Sequence, residues 1–172
     1  MRMATPSRRR FTQGLAAACV IPALPARALD KPAGPVVLTV TGQVHMPNDG
    51  AKAHFDMAML AALPQRRFTT ATPWYARARE FTGPLLRDVL AAAGARGSTL
   101  RASALNDYWV DIPFDDAQRF DPIVARLLDG QPMSVRDKGP LFIVYPFDER
   151  PVLRTAVYFS RSAWQLRKID VR

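Results

Sequence analysis

The chain has 172 residues, 48% of them hydrophobic, which is enough to fill the core of one ordinary domain. Its formal net charge is +9, but the N-terminal stretch holds much of it and the remaining Lys and Arg are scattered rather than blocked, which argues against nucleic-acid binding. The single cysteine, Cys19, excludes an internal disulfide, and no apolar run beyond the N-terminal stretch reaches the roughly 18 to 20 residues that span a bilayer.

Residues 1–28 read as a processed leader rather than as part of the fold. Ser7-Arg8-Arg9-Arg10-Phe11 resembles the twin-arginine export signature, an apolar stretch follows over residues 14–23, and Ala26-Arg27-Ala28 has the form of a signal-peptidase site. The expectation is therefore a periplasmic or otherwise exported protein with residues 29–172 as its single domain. A weaker alternative is a lipid anchor at Cys19 after Ala16-Ala17-Ala18, where the usual leucine three residues before the cysteine is missing. Loss of the leader removes Arg2, Arg8, Arg9, Arg10, Arg27 and the cysteine, leaving a less basic chain with no thiol nucleophile and no thiolate for a metal.

Pro32, Gly34 and Pro35 make a stiff lead-in, after which residues 36–44, rich in β-branched side chains, read as the first strand. Pro47-Asn48-Asp49-Gly50 turns the chain into a short second strand over residues 51–55. Asp56 is placed to N-cap a brief helix through Leu63, which Pro64 ends. Residues 66–72 form a strand entering a loop at Pro73-Trp74-Tyr75, and Arg77 and Arg79 beyond it make a small basic spot. Gly83 and Pro84 are expected to open the clearest helix: Leu85, Leu86, Val89, Leu90 and Ala93 recur with helical spacing, and Gly94 supplies the stop.

After a turn over residues 95–98, Leu100, Ala102 and Ala104 alternate with Arg101 and Ser103 as a half-buried strand requires. Asn106-Asp107 is a turn pair leading to a strand over residues 108–112. Residues 113–120 hold Asp115 and Asp116 in a single helical turn. The apolar run over residues 123–128 ends at the turn Asp129-Gly130-Gln131-Pro132. From Trp164 to Val171 the last strand alternates Trp164 and Leu166 with Gln165 and Arg167, then shifts phase before Ile169 and Val171, the mark of a bulge near Lys168. The expected fold class is α+β: a mixed β-sheet assembly with a few short helices, without internal repeat, linker or low-complexity tract.

The run Phe81-Thr82-Gly83-Pro84-Leu85-Leu86-Arg87-Asp88-Val89-Leu90 resembles the F-x-G-x-x-L-x-D-L-L segment of sulfite-oxidase-type molybdopterin-binding domains. The layout of residues 129–147 is similar to the same family's N-G-x-P-L, glycine-containing loop and hydrophobic strand into proline. Here these are Asp129-Gly130-Gln131-Pro132-Met133, Arg136-Asp137-Lys138-Gly139-Pro140 and Leu141-Phe142-Ile143-Val144-Tyr145-Pro146, with Asp129 where the family usually has asparagine. The likeness runs from about Val36 to Val171, and it implies the sulfite-oxidase-type molybdopterin-binding fold and a molybdopterin pocket.

In the enzymes of that family, the loop before the first segment carries a cysteine whose thiolate binds molybdenum. Here the loop reads Thr70-Ala71-Thr72-Pro73-Trp74-Tyr75. None of these side chains replaces a soft thiolate donor, and Trp74 would fill the space above a bound metal. Molybdenum ligation is therefore not expected and no residue is assigned a catalytic role, while the binding of molybdopterin itself stays open.

Trp74, Tyr75, Asn106, Asp107, Tyr108, Arg136 and Lys138 lie in expected loops or at strand ends and offer the aromatic and polar groups of a small-molecule pocket. Taken singly, Trp74 also reads as a core aromatic, Asn106-Asp107 as a plain turn and Arg136-Asp137-Lys138 as a solvated loop. His45 and His54 are the only histidines and make an incomplete metal site. H-E-x-x-H, G-x-S-x-G, P-loop and G-x-G-x-x-G patterns are absent, and the adjacent acids Asp115-Asp116 and Asp148-Glu149 read as helix-start and turn residues. The leading expectation is an exported protein without molybdenum redox catalysis that binds a small ligand or an envelope protein partner. The alternatives are a molybdopterin-dependent oxidoreductase of the sulfite oxidase type and an extracytoplasmic sensor or accessory subunit with a dedicated partner.

Overall fold

Alternation governs the largest sheet: Leu38 and Val40 turn inward from one strand, and Leu100, Ala102 and Ala104 from another, each side chain fully buried. The computed structural model describes residues 29–172, so the expected leader and Cys19 lie outside the described residues. In chain order the elements are β1 (Val36–Gly42), β2 (Ala53–Asp56), α1 (Met57–Ala62), β3 (Gln65–Thr70), β4 (Arg79–Pro84), α2 (Leu86–Ala92), β5 (Thr99–Ala104), β6 (Trp109–Pro113), α3 (Asp116–Arg119), β7 (Ile123–Ala125), β8 (Leu127–Leu128), β9 (Gln131–Pro132), β10 (Phe142–Val144), α4 (Ala156–Arg161) and β11 (Leu166–Val171). One-turn 3-10 helices lie at Val135–Asp137 and Pro151–Leu153. The protein is a mixed α+β domain of several sheets and few short helices. No helix among the described residues is long and apolar enough to cross a membrane.

The five-stranded sheet has the order β2-β1-β11-β5-β6. Its first and last strands in sequence, β1 and β11, run parallel side by side, while the other pairings are antiparallel. The register slips between Leu166 and Lys168, which is the bulge that the phase shift in the sequence implies. A four-stranded sheet follows the order β3-β4-β8-β9, and β10 pairs with β7. The apolar run over residues 123–128 joins these last two assemblies. Its first half pairs with β10, Arg126 then donates its N–H to the Thr82 carbonyl at 2.9 Å, and its second half pairs with β4.

One expectation is overturned. Gly83 and Pro84 do not open a helix; they close β4, opposite Arg66 and Gln65, and the helix begins at Leu86 after an uncapped Leu85. The reason is a contact distant in sequence. A Cβ on Gly83 would lie 2.0 Å from the Val124 carbonyl oxygen, so only glycine lets these two backbones approach. The apolar face of α2 is otherwise as its spacing predicts, with Leu86, Val89, Leu90 and Ala93 buried and Gly94 ending the helix at φ +61°.

Asp56 caps α1 as expected and does more. One carboxylate oxygen accepts the Met59 N–H at 2.8 Å, while the other accepts those of Ala33 and Gly34 at 2.9 and 2.8 Å. The Met59 bond first, then the Gly34 bond, holds the carboxyl below its ordinary 3.8. A depressed folded-state pKa gives stability that is complete above the unfolded value and fades as pH falls through the folded one. Asp56→Asn is therefore expected to lower the unfolding midpoint at neutral pH and to flatten its decline below about pH 4, read by circular dichroism. An unchanged acid limb would remove Asp56 from this role.

Candidate functional site

The loop after β3 is clamped before it reaches its aromatic pair. Thr70 Oγ1 accepts the Asp148 N–H at 3.1 Å, and the Asp148 carboxylate accepts the Ala71 N–H at 2.9 Å and binds Arg154. Burial works against ionisation of Asp148, but the Ala71 N–H, Arg154 and Thr70 outweigh it and hold the carboxyl below its ordinary range. Pro73 then turns the chain and Trp74 enters an aromatic cluster. Its ring meets Phe142 edge-on at 5.4 Å and Phe159 at 6.2 Å, and it lies 6.3 Å from Trp164 at a tilt.

Trp74, Asn106 and Tyr108 come together in one cleft of about 370 Å³, whose other walls are Pro73, Phe159, Ser160, Ser162 and Trp164. Asn106 Oδ1 accepts the Tyr108 N–H at 3.2 Å, so its amide N–H groups remain as donors. The Tyr108 hydroxyl donates to the Ser160 carbonyl at 3.2 Å, which fixes the ring at the rim while leaving it 42% exposed. The hydroxyls of Ser160 and Ser162 donate back to carbonyls of their own helix, keeping oxygen lone pairs as acceptors.

The other residues singled out in the sequence lie elsewhere. Tyr75 follows Trp74 but lines a second hollow of about 260 Å³ with Arg79, Asp129 and Met133. Burial first, with Asp137 and Asp129 adding and Arg79 opposing, pushes its phenol above the usual range, so it stays protonated and donates to the Asp137 carbonyl at 3.4 Å. Lys138 stands between the two hollows, its ammonium 4.7 Å from the Trp164 ring and 5.0 Å from the Tyr75 ring. Its backbone is left-handed at φ +71°, and its carbonyl accepts the Gln165 N–H at 2.8 Å, tying the loop to the Trp164 segment. Asp107 turns away to pair with Arg167 at 2.6 Å. Arg136 is exposed on its 3-10 turn and makes no ion pair among the described residues.

Helix α4 supplies the wall that the sequence did not announce, and a buried charge cluster holds it in place. Asp116, 4% exposed, accepts from the Tyr145 hydroxyl and from Arg161 of α4, each at 2.9 Å. Burial and then the Asp116 charge hold the Tyr145 hydroxyl far above its ordinary range, so it serves only as a neutral donor. Asp116 is thus more than a helix-start residue: through Arg161 it positions the helix that carries Phe159 and Ser160.

The oxygen donors of the loop that leads to Trp74 do not suit a soft metal, and they do not line the cleft. The Thr70 hydroxyl oxygen is taken by Asp148, the Thr72 hydroxyl oxygen is buried without a partner, and both are hard, neutral oxygens. Among the described residues no three His, Cys, Asp or Glu side chains converge as a metal ion requires. His54 is engaged through both ring nitrogens, with Thr39 at 3.0 Å and Asp49 at 3.3 Å. What the cleft can do is stack a flat ring against tryptophan and tyrosine and meet its polar edge with an amide and two hydroxyl oxygens. No known family model matches the chain, and no curated protein matches it in sequence.

Proposed function

We propose that the protein is an exported binding protein, without molybdenum redox chemistry, built on a sulfite-oxidase-type molybdopterin-binding scaffold, and that its Trp74 cleft takes a small, flat heteroaromatic ligand of the pterin kind. The observation that carries this reading is the convergence of Trp74, Tyr108 and Trp164 on one cleft beside the free amide donors of Asn106. These rings, with Phe159 as a fourth aromatic wall, favour a planar ligand. Asn106 and the serine oxygens suit an edge that presents both a carbonyl and ring N–H groups. The family likeness of residues 81–90 and 129–147 supports the pterin class and the scaffold, and the leader-like residues 1–28 support export. Loss of the thiolate from the loop before β4 supports binding without metal chemistry, because the threonines there supply no soft donor.

The test is elemental analysis of the purified protein for molybdenum, with pterin fluorescence after oxidative release, followed by titration of metal-free protein with an oxidised pterin. The expected result is negligible molybdenum and saturable quenching of tryptophan fluorescence by the pterin. Near-stoichiometric molybdenum with substrate-dependent dye reduction would overturn the reading and make the protein an oxidoreductase. Absence of both released pterin and quenching would overturn the ligand class.

A further inference from the structure

A groove of about 530 Å³ lies on the outward face of the five-stranded sheet, where the Trp74 cleft does not reach. The strand registers lay out its two ends. Thr39 stands between His54 of β2 and Lys168 of β11, and Thr41 lies two residues further along, next to Asp170. Lys52, which precedes β2, lines the groove at that end. Two residues back along β1, Val37 lies at the other end with Leu105 and Pro140, and Leu105 is 44% exposed. From residue 37 to residue 41 a strand advances roughly 13 Å. The groove therefore runs from an apolar end past Lys168, level with Thr39 at its middle, to Lys52 at the far end.

The charges are unequal in a telling way. The acids nearby are already engaged: Asp170 accepts from Thr41 and pairs with Arg172, each at 2.8 Å, Asp49 faces His54 at 3.3 Å, and Asp107 pairs with Arg167 at 2.6 Å. Lys52 and Lys168 are in no ion pair among the described residues. Lys168 is felt by the Asp170 carboxylate only at a distance, so two ammonium groups without a close carboxylate stand beside an apolar strip and favour an occupant with the opposite pattern.

We propose that this groove docks a short acidic segment of a partner protein, with apolar side chains against Val37, Leu105 and Pro140 and carboxylates against Lys52 and Lys168. The chain's own residues 1–28 are a poor occupant, since they carry Arg2, Arg8, Arg9, Arg10 and Arg27 and no acid. A second copy docked by the same face would set the two lysines against themselves across the dyad. A small molecule would stay largely wet on an open sheet face, whereas small-molecule sites bury most of their ligand. The inference does not rest on the pterin reading, and either can fail without the other.

The test uses the purified protein and a fluorescein-labelled peptide of two leucines followed by four glutamates, read by anisotropy. The expected result is saturable, salt-sensitive binding that Lys52→Glu with Lys168→Glu weakens about tenfold or more, while Arg77→Glu with Arg96→Glu, the same charge change at exposed loop positions, weakens it less than about twofold. Equal losses in the two double variants would overturn the proposal, because bulk charge alone would then explain binding. Binding to vesicles of anionic phospholipid with none to the peptide would also overturn it and assign the face to a membrane. In the unsubstituted protein the peptide should shift the amide signals of Thr39, Thr41 and Lys168 and leave the indole signals of Trp74 and Trp164 in place. Shifts confined to those indoles would sink the proposal whatever the variants do.

Discussion

Gly83→Ala is expected to cost at least about 3 kcal/mol of stability, the upper end of what overpacking does. The added methyl would sit 2.0 Å from the Val124 carbonyl oxygen and 2.7 Å from Ala125 Cα, and both are backbone. No rotamer change relieves such a clash; β4 or the run over residues 123–125 has to move. Moving either breaks more than one contact, since that run also pairs with β10 and Leu86 donates its N–H to the Pro122 carbonyl at 2.8 Å. Total stability for a domain of this size is about 5 to 15 kcal/mol, so the variant should show a markedly lower urea midpoint. Gly50→Ala is the control. Gly50 has φ +55° with nothing within 4 Å of its would-be Cβ, so its cost is that of a left-handed backbone alone, about 1 to 2 kcal/mol. If the two variants lose stability equally, close backbone approach is not what Gly83 provides.

The misreading of this same glycine shows where sequence reasoning stopped. Gly83-Pro84 before a helical apolar repeat obeys every local rule for a helix start, and the fact that decides otherwise, the Val124 carbonyl, lies far along the chain. Features set by neighbours in sequence were legible: the Asp56 cap, the inward alternation of β5, the stop at Gly94 and the bulge beside Lys168 all follow from local pattern. Helix α4 was not legible for the same reason in reverse. Its run Ala156-Val157-Tyr158-Phe159-Ser160-Arg161 is rich in residues with modest helix propensity, and Thr155 makes no side-chain cap. Its anchor is Arg161 on the buried Asp116, a contact that no spacing announces.

The candidate site divides along the same line. Trp74, Asn106 and Tyr108 are legible as candidates because they stand in loops at strand ends, and the structure brings them to one cleft. Phe159, Ser160 and Ser162 are as illegible as the helix that carries them, and the sequence pattern shows Trp164 only as the start of a strand. Tyr75 separated from Trp74 because the chain turns at Pro73-Trp74 and bends on through Tyr75, which sends the second ring toward Arg79 and Asp129. Asp107, at φ +64°, directs its carboxylate to Arg167 instead of toward Asn106's cleft.

Removal of the cleft's aromatic walls should produce two distinguishable effects if the cleft is a stacking site. Tyr108 is 42% exposed and held mainly by its hydroxyl bond to the Ser160 carbonyl, so Tyr108→Ala should leave the urea midpoint nearly in place. Its loss should appear in pterin affinity, weakened by about 1 to 3 kcal/mol, the usual range for an aromatic side chain stacked on a base. Trp74 is built differently. Its ring also packs on Phe142, which is fully buried, and on Phe159. Trp74→Ala should therefore lose affinity to a similar degree and, in addition, about 2 kcal/mol of stability, less than a wholly buried tryptophan because one face is open to the cleft. Trp74→Phe should restore most of the stability while recovering only part of the affinity, since it refills the contact with Phe142 but presents a smaller stacking face. Fluorescence titration and urea unfolding on the three variants separate these outcomes. Stability losses in both alanine variants with unchanged affinity would mean that the aromatic cluster only packs the domain. An affinity loss at Tyr108 without a stability loss is the signature that packing alone does not produce.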